Sequence, residues 1–272
     1  MDWTRIPRMG IGQRWDGEPL DRFNEFFGEA LEYIEPNLPL ELGGLPPAMP
    51  KITHDAELPL ATTGELNSEL VAALVAQVRA ASPPWTGEHF ALASTRVTGN
   101  LGYNAAPILD DTAVEAGVWH VTRLQRAYGC PIALEAGPRY LDVRGWDDHG
   151  AILRISKATD CGILVDLSHH MVSMLNLGRA PEDGLSPEVL ERTVELHLTG
   201  LGRHRDGRHF HDFHGGPVAP EVWRLLDWIL PRAKNLKAVT LEHDASVDDP
   251  TYAADLRRMV RALEPWRSSC GH

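Results

Sequence analysis

Along this chain of 272 residues, short apolar runs alternate with longer stretches of helical period, and run after run ends in His, Asp or Glu. Such alternation marks parallel βαβ units, because a crossover helix must return the chain before the next parallel strand can pair. The strand-like runs are MGIG (9–12), KITH (51–54), WTGEHFAL (85–92), PIALEA (131–136), GILVDL (162–167), VELHLT (194–199) and AVTLEH (238–243). Between them, Leu70, Leu74 and Val78 share one helical face, as do Val114, Val118, Val121 and Leu124. Val222, Leu225 and Ile229 form a third stripe, and Leu256, Val260 and Leu263 a fourth. This pattern and length fit one (β/α)₈ barrel, with residues 1–272 as a single domain.

Local signals add detail. Asp110, Asp111 or Thr112 caps the helix that follows, and Glu115 completes a capping box behind Thr112. Ser186-Pro187 reads as a cap followed by proline at the first helical position. GYNAAP (102–107) and NLGRAPEDG (176–184) read as active-site loops.

The polar strand ends carry the chemistry. His54, His89, Glu135, Asp166, His197 and Glu242 each sit at or near the carboxyl end of an apolar run. That end of a barrel is where side chains from different strands gather into an active site. The loop HDFH (211–214) adds Asp212 and His214. Imidazole with carboxylate suits iron, manganese or zinc, whereas an iron–sulfur cluster or thiolate zinc site needs positioned cysteines. Four His and four carboxylates exceed the needs of one ion, so carboxylates bridging two ions are the natural use of the surplus. A lone strand-end His is more often a hydrogen-bonded structural residue, but six polar strand ends together outweigh that reading.

Composition narrows the class. The net charge of −12 removes the basic footprint that nucleic-acid binding needs. There is no apolar signal core at the start and no apolar run long enough for a membrane span, so the expected location is cytoplasmic. Three cysteines form no disulfide framework; Cys130 and Cys161 read as core, and Cys270 as part of a tail. His204, His209 and His211 read as loop surface, while His120 and His149 fit no pattern.

The motifs GIGQR, ITHD, GEHFAL, ALEAGPRY, GILVDLSHHMVSMLNLG, ELHLTG, HDFHGGPV and TLEHD follow one another from about Met9 to Asp244. In that order they resemble the multinuclear non-heme iron-dependent oxidative enzymes. The resemblance implies a barrel in the xylose isomerase-like superfamily, two or three iron ions in mixed-valent form, and O₂ as co-substrate. It also implies a ribosomally made precursor peptide as substrate, most often modified at cysteine, and a companion protein that delivers it. By the same resemblance, His54, His89 and Glu135 hold one iron. Glu135 bridges to a second held by Asp166, His197 and Glu242, and Asp212 and His214 serve a third. Glu135, Asp166 and His197 are then the catalytic core. The sequence departs from the pattern at Ser168-His169-His170, where relatives commonly carry Asn; His169 is the candidate replacement ligand. The GEHF motif also lacks the usual preceding serine, and EPNLPLELGG is a loose match. Two other readings stay open: a redox-neutral divalent-metal isomerase or hydrolase on a similar barrel, and a non-catalytic peptide- or metal-binding relative.

Overall fold

A computed structural model describes residues 3–16, 30–40, 49–95, 99–142, 147–244 and 249–269. In chain order the strands are β1 (Gly10–Trp15), β2 (Tyr33–Leu38), β3 (Thr53–Asp55), β4 (Thr86–His89), β5 (Leu92–Thr95) and β6 (Gly99–Ala105). After them come β7 (Ile132–Glu135), β8 (Gly162–Asp166), β9 (Thr193–Leu198), β10 (Leu201–Arg203), β11 (Phe210–Asp212) and β12 (Ala238–Leu241). Eight of these close a parallel barrel in the order β1-β12-β9-β8-β7-β4-β3-β2. The remaining four form two antiparallel hairpins, β5–β6 after β4 and β10–β11 after β9, both at the carboxyl-end mouth of the barrel.

The expected (β/α)₈ architecture is therefore present, but the seven strand-like runs omitted one member. The eighth strand is β2, with sequence YIEPNL. A charged residue and a proline inside six residues disguise it, since proline cannot donate a ladder hydrogen bond and normally argues against a central strand. Its register with β1 is nevertheless regular, from Gly12 opposite Tyr33 to Trp15 opposite Pro36.

Helices cover the outside: α1 (Ser68–Ala81), α2 (Asp111–Tyr128), α3 (Asp148–Thr159), α4 (Leu167–Leu177), α5 (Pro187–Arg192), α6 (Pro220–Ile229) and α7 (Pro250–Ser269). The four expected stripes supply buried faces, with Leu74, Val78, Val121, Leu124, Val222, Ile229, Leu256 and Leu263 all in the main core. Caps explain the boundaries. Asp110 starts α2 by accepting a hydrogen bond from Ala113 N at 2.8 Å, so Thr112 lies inside the helix and the expected capping box with Glu115 does not form. Ser186 caps α5 ahead of Pro187, as expected. Such a cap contributes about 1 kcal/mol.

Inside the barrel the period-two alternation of strand side chains builds layers. At the amino-terminal end, Tyr33, Ile52, Trp85, Ala133, Leu164, Val194 and Ala238 form an apolar floor, with Trp3, Ile6 and Met9 packed against it. Two residues further along the strands come Glu35, His54, Glu135, Asp166 and Thr240, and Glu242 follows Thr240 two residues on. The floor shuts one end of the barrel, so the polar layers face only the mouth.

Cys161 is buried, and Cys130 is partly buried against the core. Residues 41–44 of the EPNLPLELGG motif and Cys270 lie outside the described residues. Among the described residues, no helix is long and apolar enough to cross a membrane.

Candidate metal centre

Each strand end delivers one side chain to a common point. His54 comes from β3, His89 from β4, Glu135 from β7, Asp166 from β8 and His197 from β9, and Glu242 directly follows β12. His89 packs beside His54 with ring centroids 4.9 Å apart. Gly87, on β4 opposite His54, leaves room for that imidazole; a Cβ there would collide with Nδ1 of the His54 ring. Asp212 ends β11, and His214 lies two residues on.

Three triads result, each with ligand atoms mutually within 4.8 Å: His54-His89-Glu135, Asp166-His197-Glu242 and His169-Asp212-His214. Two further groupings meet the same limit and join them, Glu135-Asp166-His169 and Glu35-His54-His197. In the first triad, Glu135 Oε2 lies 3.3 Å from both His54 Nε2 and His89 Nε2. The other oxygen, Oε1, is 2.8 Å from His169 Nδ1. Glu135 thus turns one oxygen to each side, the arrangement a bridging carboxylate requires. Asp166 caps α4 through Oδ1, which accepts from Ser168 N at 2.6 Å and His169 N at 2.7 Å. The capping bonds leave its Oδ2 free. They also place His169, on the first turn of α4, over the cluster.

The donor set fits metal ions. Glu135 Oε1 and Oε2, Asp166 Oδ2, His169 Nδ1, His197 Nδ1 and Asp212 Oδ1 are all buried without a hydrogen-bond partner. A buried polar atom with no partner costs several kcal/mol, more when charged. So many at one point, close together but misaligned for bonding to one another, form a donor set that could hold cations.

Charge tells the same story. Burial pulls His54, His169 and His197 down, yet surrounding carboxylates outweigh it. Glu35 and Glu135 hold His54 up at about 9. Asp166 and Asp212 raise His169 well above the ordinary range, and Glu35 and Glu242 do the same for His197. Glu135 is held below the carboxylate range by His89, His169 and His54 in spite of its burial. Burial pushes Asp166 up to about 6, and His89 down to about 4. These carboxylates demand positive charge, whether protons or metal ions.

Two residues of the site were not among the expected ones. Glu35, fully buried on β2, lies 3.2 Å from His54 Nδ1 through Oε1 and 3.2 Å from His197 Nε2 through Oε2. It touches one histidine from each of two triads. Thr240 donates to Glu35 and is itself bonded to Tyr33 at 2.6 Å, while Trp85 secures the neighbouring Glu195 at 2.6 Å. Arg14, on β1, places NH1 2.5 Å from His214 Nδ1 and pairs with Asp16 and Asp244. The only signals were the loosely matched EPNLPLELGG for Glu35 and the GIGQR motif for Arg14.

Over the cluster opens a cavity of about 300 Å³, lined by His54, His89, Glu135, His169, Asp212, His214 and Glu242 with Arg14, Tyr103, Asn104 and Tyr140 at its walls. Asp166 and His197 lie beneath this surface. GYNAAP reaches the cavity through Tyr103 and Asn104. NLGRAPEDG does not: Asn176 instead fastens β11, and Pro181 accepts a hydrogen bond from His170 at 2.7 Å. His204 and His209 are exposed and His211 is half-buried on the β10–β11 hairpin.

Several known proteins resemble this chain. Solved structures share its fold at low identity: 3-keto-D-glucoside 4-epimerase YcjR from E. coli, with TM-score 0.56 and 14% identity, covers 93% of this chain and 99% of its own. A xylose isomerase-like TIM barrel protein from Mycobacterium smegmatis, solved with magnesium, gives TM-score 0.56 at 14% identity over 97% and 98%. At these identities the likeness concerns fold alone. Closer in sequence, UPF0276 protein BPP1075 of Bordetella parapertussis is 30% identical over 214 residues, 76% of this chain and 72% of that one. A UPF0276 protein of Caulobacter sp. (strain K31) is 34% identical over a shorter stretch, 42% of each chain. The model of the RiPP precursor modification enzymes MbnB/TglH/ChrH matches residues 14–264. From β1 to α7, then, the chain belongs to the MbnB/TglH/ChrH family of RiPP precursor modification enzymes.

Proposed function

We propose that this protein is a multinuclear iron-dependent, O₂-using enzyme that oxidatively modifies a residue, most often cysteine in proteins of this pattern, of a ribosomally made precursor peptide. The observation that carries the reading is the joined set of triads, in which Glu135 turns one oxygen toward the His54-His89 pair and the other toward His169. A single-metal isomerase site has no use for that many donors.

His54, His89 and Glu135 would hold one iron, and Glu135 with Asp166, His197 and Glu242 a second. Asp212, His214 and His169 would hold a third. When bound, the irons supply the electrons and Lewis acidity for oxidation by O₂. The protein's part is orientation and exclusion of water. Glu35 accepts from His54 at Nδ1 and draws the Nε2–H of His197, so His54 presents Nε2 and His197 presents Nδ1 to the cluster. Arg14 NH1 stands 2.5 Å from His214 Nδ1, while Nε2 faces Asp212, 2.8 Å away. The sealed floor admits reactants only from the mouth, and a cavity of about 300 Å³ accepts a side chain or two of an extended peptide. A companion protein that delivers the precursor belongs to the same reading.

Metal content of protein purified without oxygen, with Mössbauer spectra before and after exposure to O₂, tests this. Two or more coupled irons per chain, oxidised by O₂, are expected. One zinc or magnesium, or iron indifferent to O₂, would move the assignment to a redox-neutral isomerase or a non-catalytic binder.

A further inference from the structure

The β10–β11 hairpin differs in charge from the rest of the molecule. The chain carries 38 acidic against 26 basic residues, yet the segment from β10 to β11 holds Arg203, Arg205 and Arg208 against one acid before Asp212. That acid, Asp206, is taken up locally. It lies 2.5 Å from His209 Nδ1, and its other oxygen accepts from Arg208 N at 2.8 Å and His209 N at 3.1 Å. The three arginines are exposed, and among the described residues no carboxylate pairs with any of them.

The arm is aimed as well as charged. Asn176 of α4 clamps its returning strand from both sides, accepting from Phe210 N at 2.8 Å and donating to Phe210 O at 2.9 Å. Just past the clamp the chain enters the metal centre at Asp212 and His214. Around the mouth stand exposed aromatic side chains: Tyr103 at 66%, Tyr140 at 46% and Phe213 at 45% exposure. Exposed aromatics beside a cavity are the usual anchors of a peptide partner.

We propose that arm and mouth together bind an extended acidic segment of the peptide substrate. Its residues flanking the modified side chain rest on Tyr103, Tyr140 and Phe213, and its Asp or Glu residues meet Arg203, Arg205 and Arg208. Spacing follows from the arm's reach. Three paired residues per strand at about 3.3 Å each, plus the turn, span about 10–15 Å. An extended peptide covers that in three to five residues. The acidic residues therefore lie three to five positions from the modified one. This rests on the peptide-modifying reading above and adds the chemistry of the substrate. A nucleic-acid strand is the lesser fit, because the chain as a whole carries a net charge of −12.

Fluorescence anisotropy with three labelled synthetic peptides of equal length tests it. One carries Asp-Glu-Asp four residues from a Tyr-Cys-Tyr core, one carries the same run ten residues away, and one carries Lys-Lys-Lys in the near position. The first is expected to bind iron-loaded protein at least tenfold more tightly than the other two, with the preference shrinking as salt rises. In Arg205→Glu/Arg208→Glu the preference disappears while iron per chain stays the same. Each exposed pair contributes up to about fivefold, so reversing two charges is well within detection. Equal binding of the three peptides, no binding of any, or full affinity in the double variant overturns the proposal. So does an oligothymidylate that competes as strongly as the first peptide. Iron content and O₂ consumption are read on the same preparations. Iron that is intact and O₂-reactive with no arm effect sinks this inference alone; absence of multinuclear iron sinks the functional reading.

Discussion

Two sets of histidines are buried equally deep in this barrel and do opposite things. His120, His149 and His170 sit on or between helices. His120 Nε2 meets Thr62 O at 2.9 Å, and His149 Nε2 meets His170 Nδ1 at 3.0 Å. Burial pushes these three rings down, to about 4 for His149 and about 3 for His170, so they are neutral packing. His54, His169 and His197 lie inside the strand ends, and carboxylates raise them against the same burial. His89 shows that protonation alone does not sort the sets, for burial takes it to about 4 although Glu135 is 3.3 Å away. What separates them is convergence: carboxylate oxygens lacking hydrogen bonds, aimed at the same point from several strands.

The sharpest way to break this contrast is to remove one member from each set. Glu135→Ala should cost at least one metal ion per chain and abolish turnover, because Glu135 belongs to two of the groupings. Ligand-induced stabilisation should fall with it. His149→Ala should leave metal content unchanged while lowering stability by about 2–4 kcal/mol, as truncations of buried side chains do. Elemental analysis and denaturant unfolding of both variants check the pair. Equal metal loss in the two would erase the distinction.

Glu35 comes next in expected effect. Its two oxygens serve two histidines at once, and removing a carboxylate behind a ligand typically costs 10–100-fold in metal affinity, by order of magnitude. Glu35→Ala should weaken two metal positions together. Glu35→Gln has one acceptor and one donor where two acceptors stood, so it should weaken one position and spare the other. Anaerobic titration of metal-free protein with Fe(II) separates these outcomes. Weakening of neither position would make Glu35 a packing residue.

Such a residue shows how far the sequence could be read. Six ligand candidates, His54, His89, Glu135, Asp166, His197 and Glu242, were legible because each sat at or near the end of an apolar strand, and order along the chain matched order around the barrel. Glu35 was not, because Pro36 concealed the strand that carries it and because its role depends on two partners, 19 and 162 residues away, that only the closed barrel brings together. Arg14 was concealed differently: its strand was visible, but His214, 200 residues on, is its partner only after β1 and β12 pair. The capping box at Thr112 went astray by two residues, a matter of which oxygen reaches the helix amides. Loop 176–184 misled because glycine and proline mark a turn without saying which end of the barrel it serves.

A third experiment sharpens the contrast through pH. His149 has a folded pKa below the usual 6.5, so on acidification the unfolded chain binds a proton that the folded chain refuses. Its contribution to stability is constant above about pH 6.5 and falls as pH drops toward about 4, by up to ~3 kcal/mol. His149→Leu should therefore flatten the acid limb of the stability curve relative to wild type in that window and match its shape above it. Denaturant midpoints of the metal-free proteins at stepped pH provide the comparison. Parallel curves would show that His149 does not resist protonation.

The smallest effect is expected at the start of α4. Ser168, His169 and His170 are consecutive but have three separate duties. Ser168 Oγ donates to Thr199 O at 2.6 Å and accepts from Thr199 N at 3.1 Å, stapling α4 to the end of β9. His170 turns away to Pro181, and only His169 faces Glu135 and Asp212. An asparagine at 169 keeps an oxygen donor on the same helical turn, held in place by Asp166. His169→Asn should then retain the number of irons and change affinity at the third position by no more than about tenfold, roughly 1.4 kcal/mol. Ser168→Asn should instead disturb folding, since its larger side chain has to displace both bonds to Thr199 within a buried site. Iron stoichiometry together with thermal midpoints for the two variants decides the matter. Loss of an iron in His169→Asn would show that asparagine does not replace the imidazole there, and normal folding of Ser168→Asn would show that the bonds to Thr199 are dispensable.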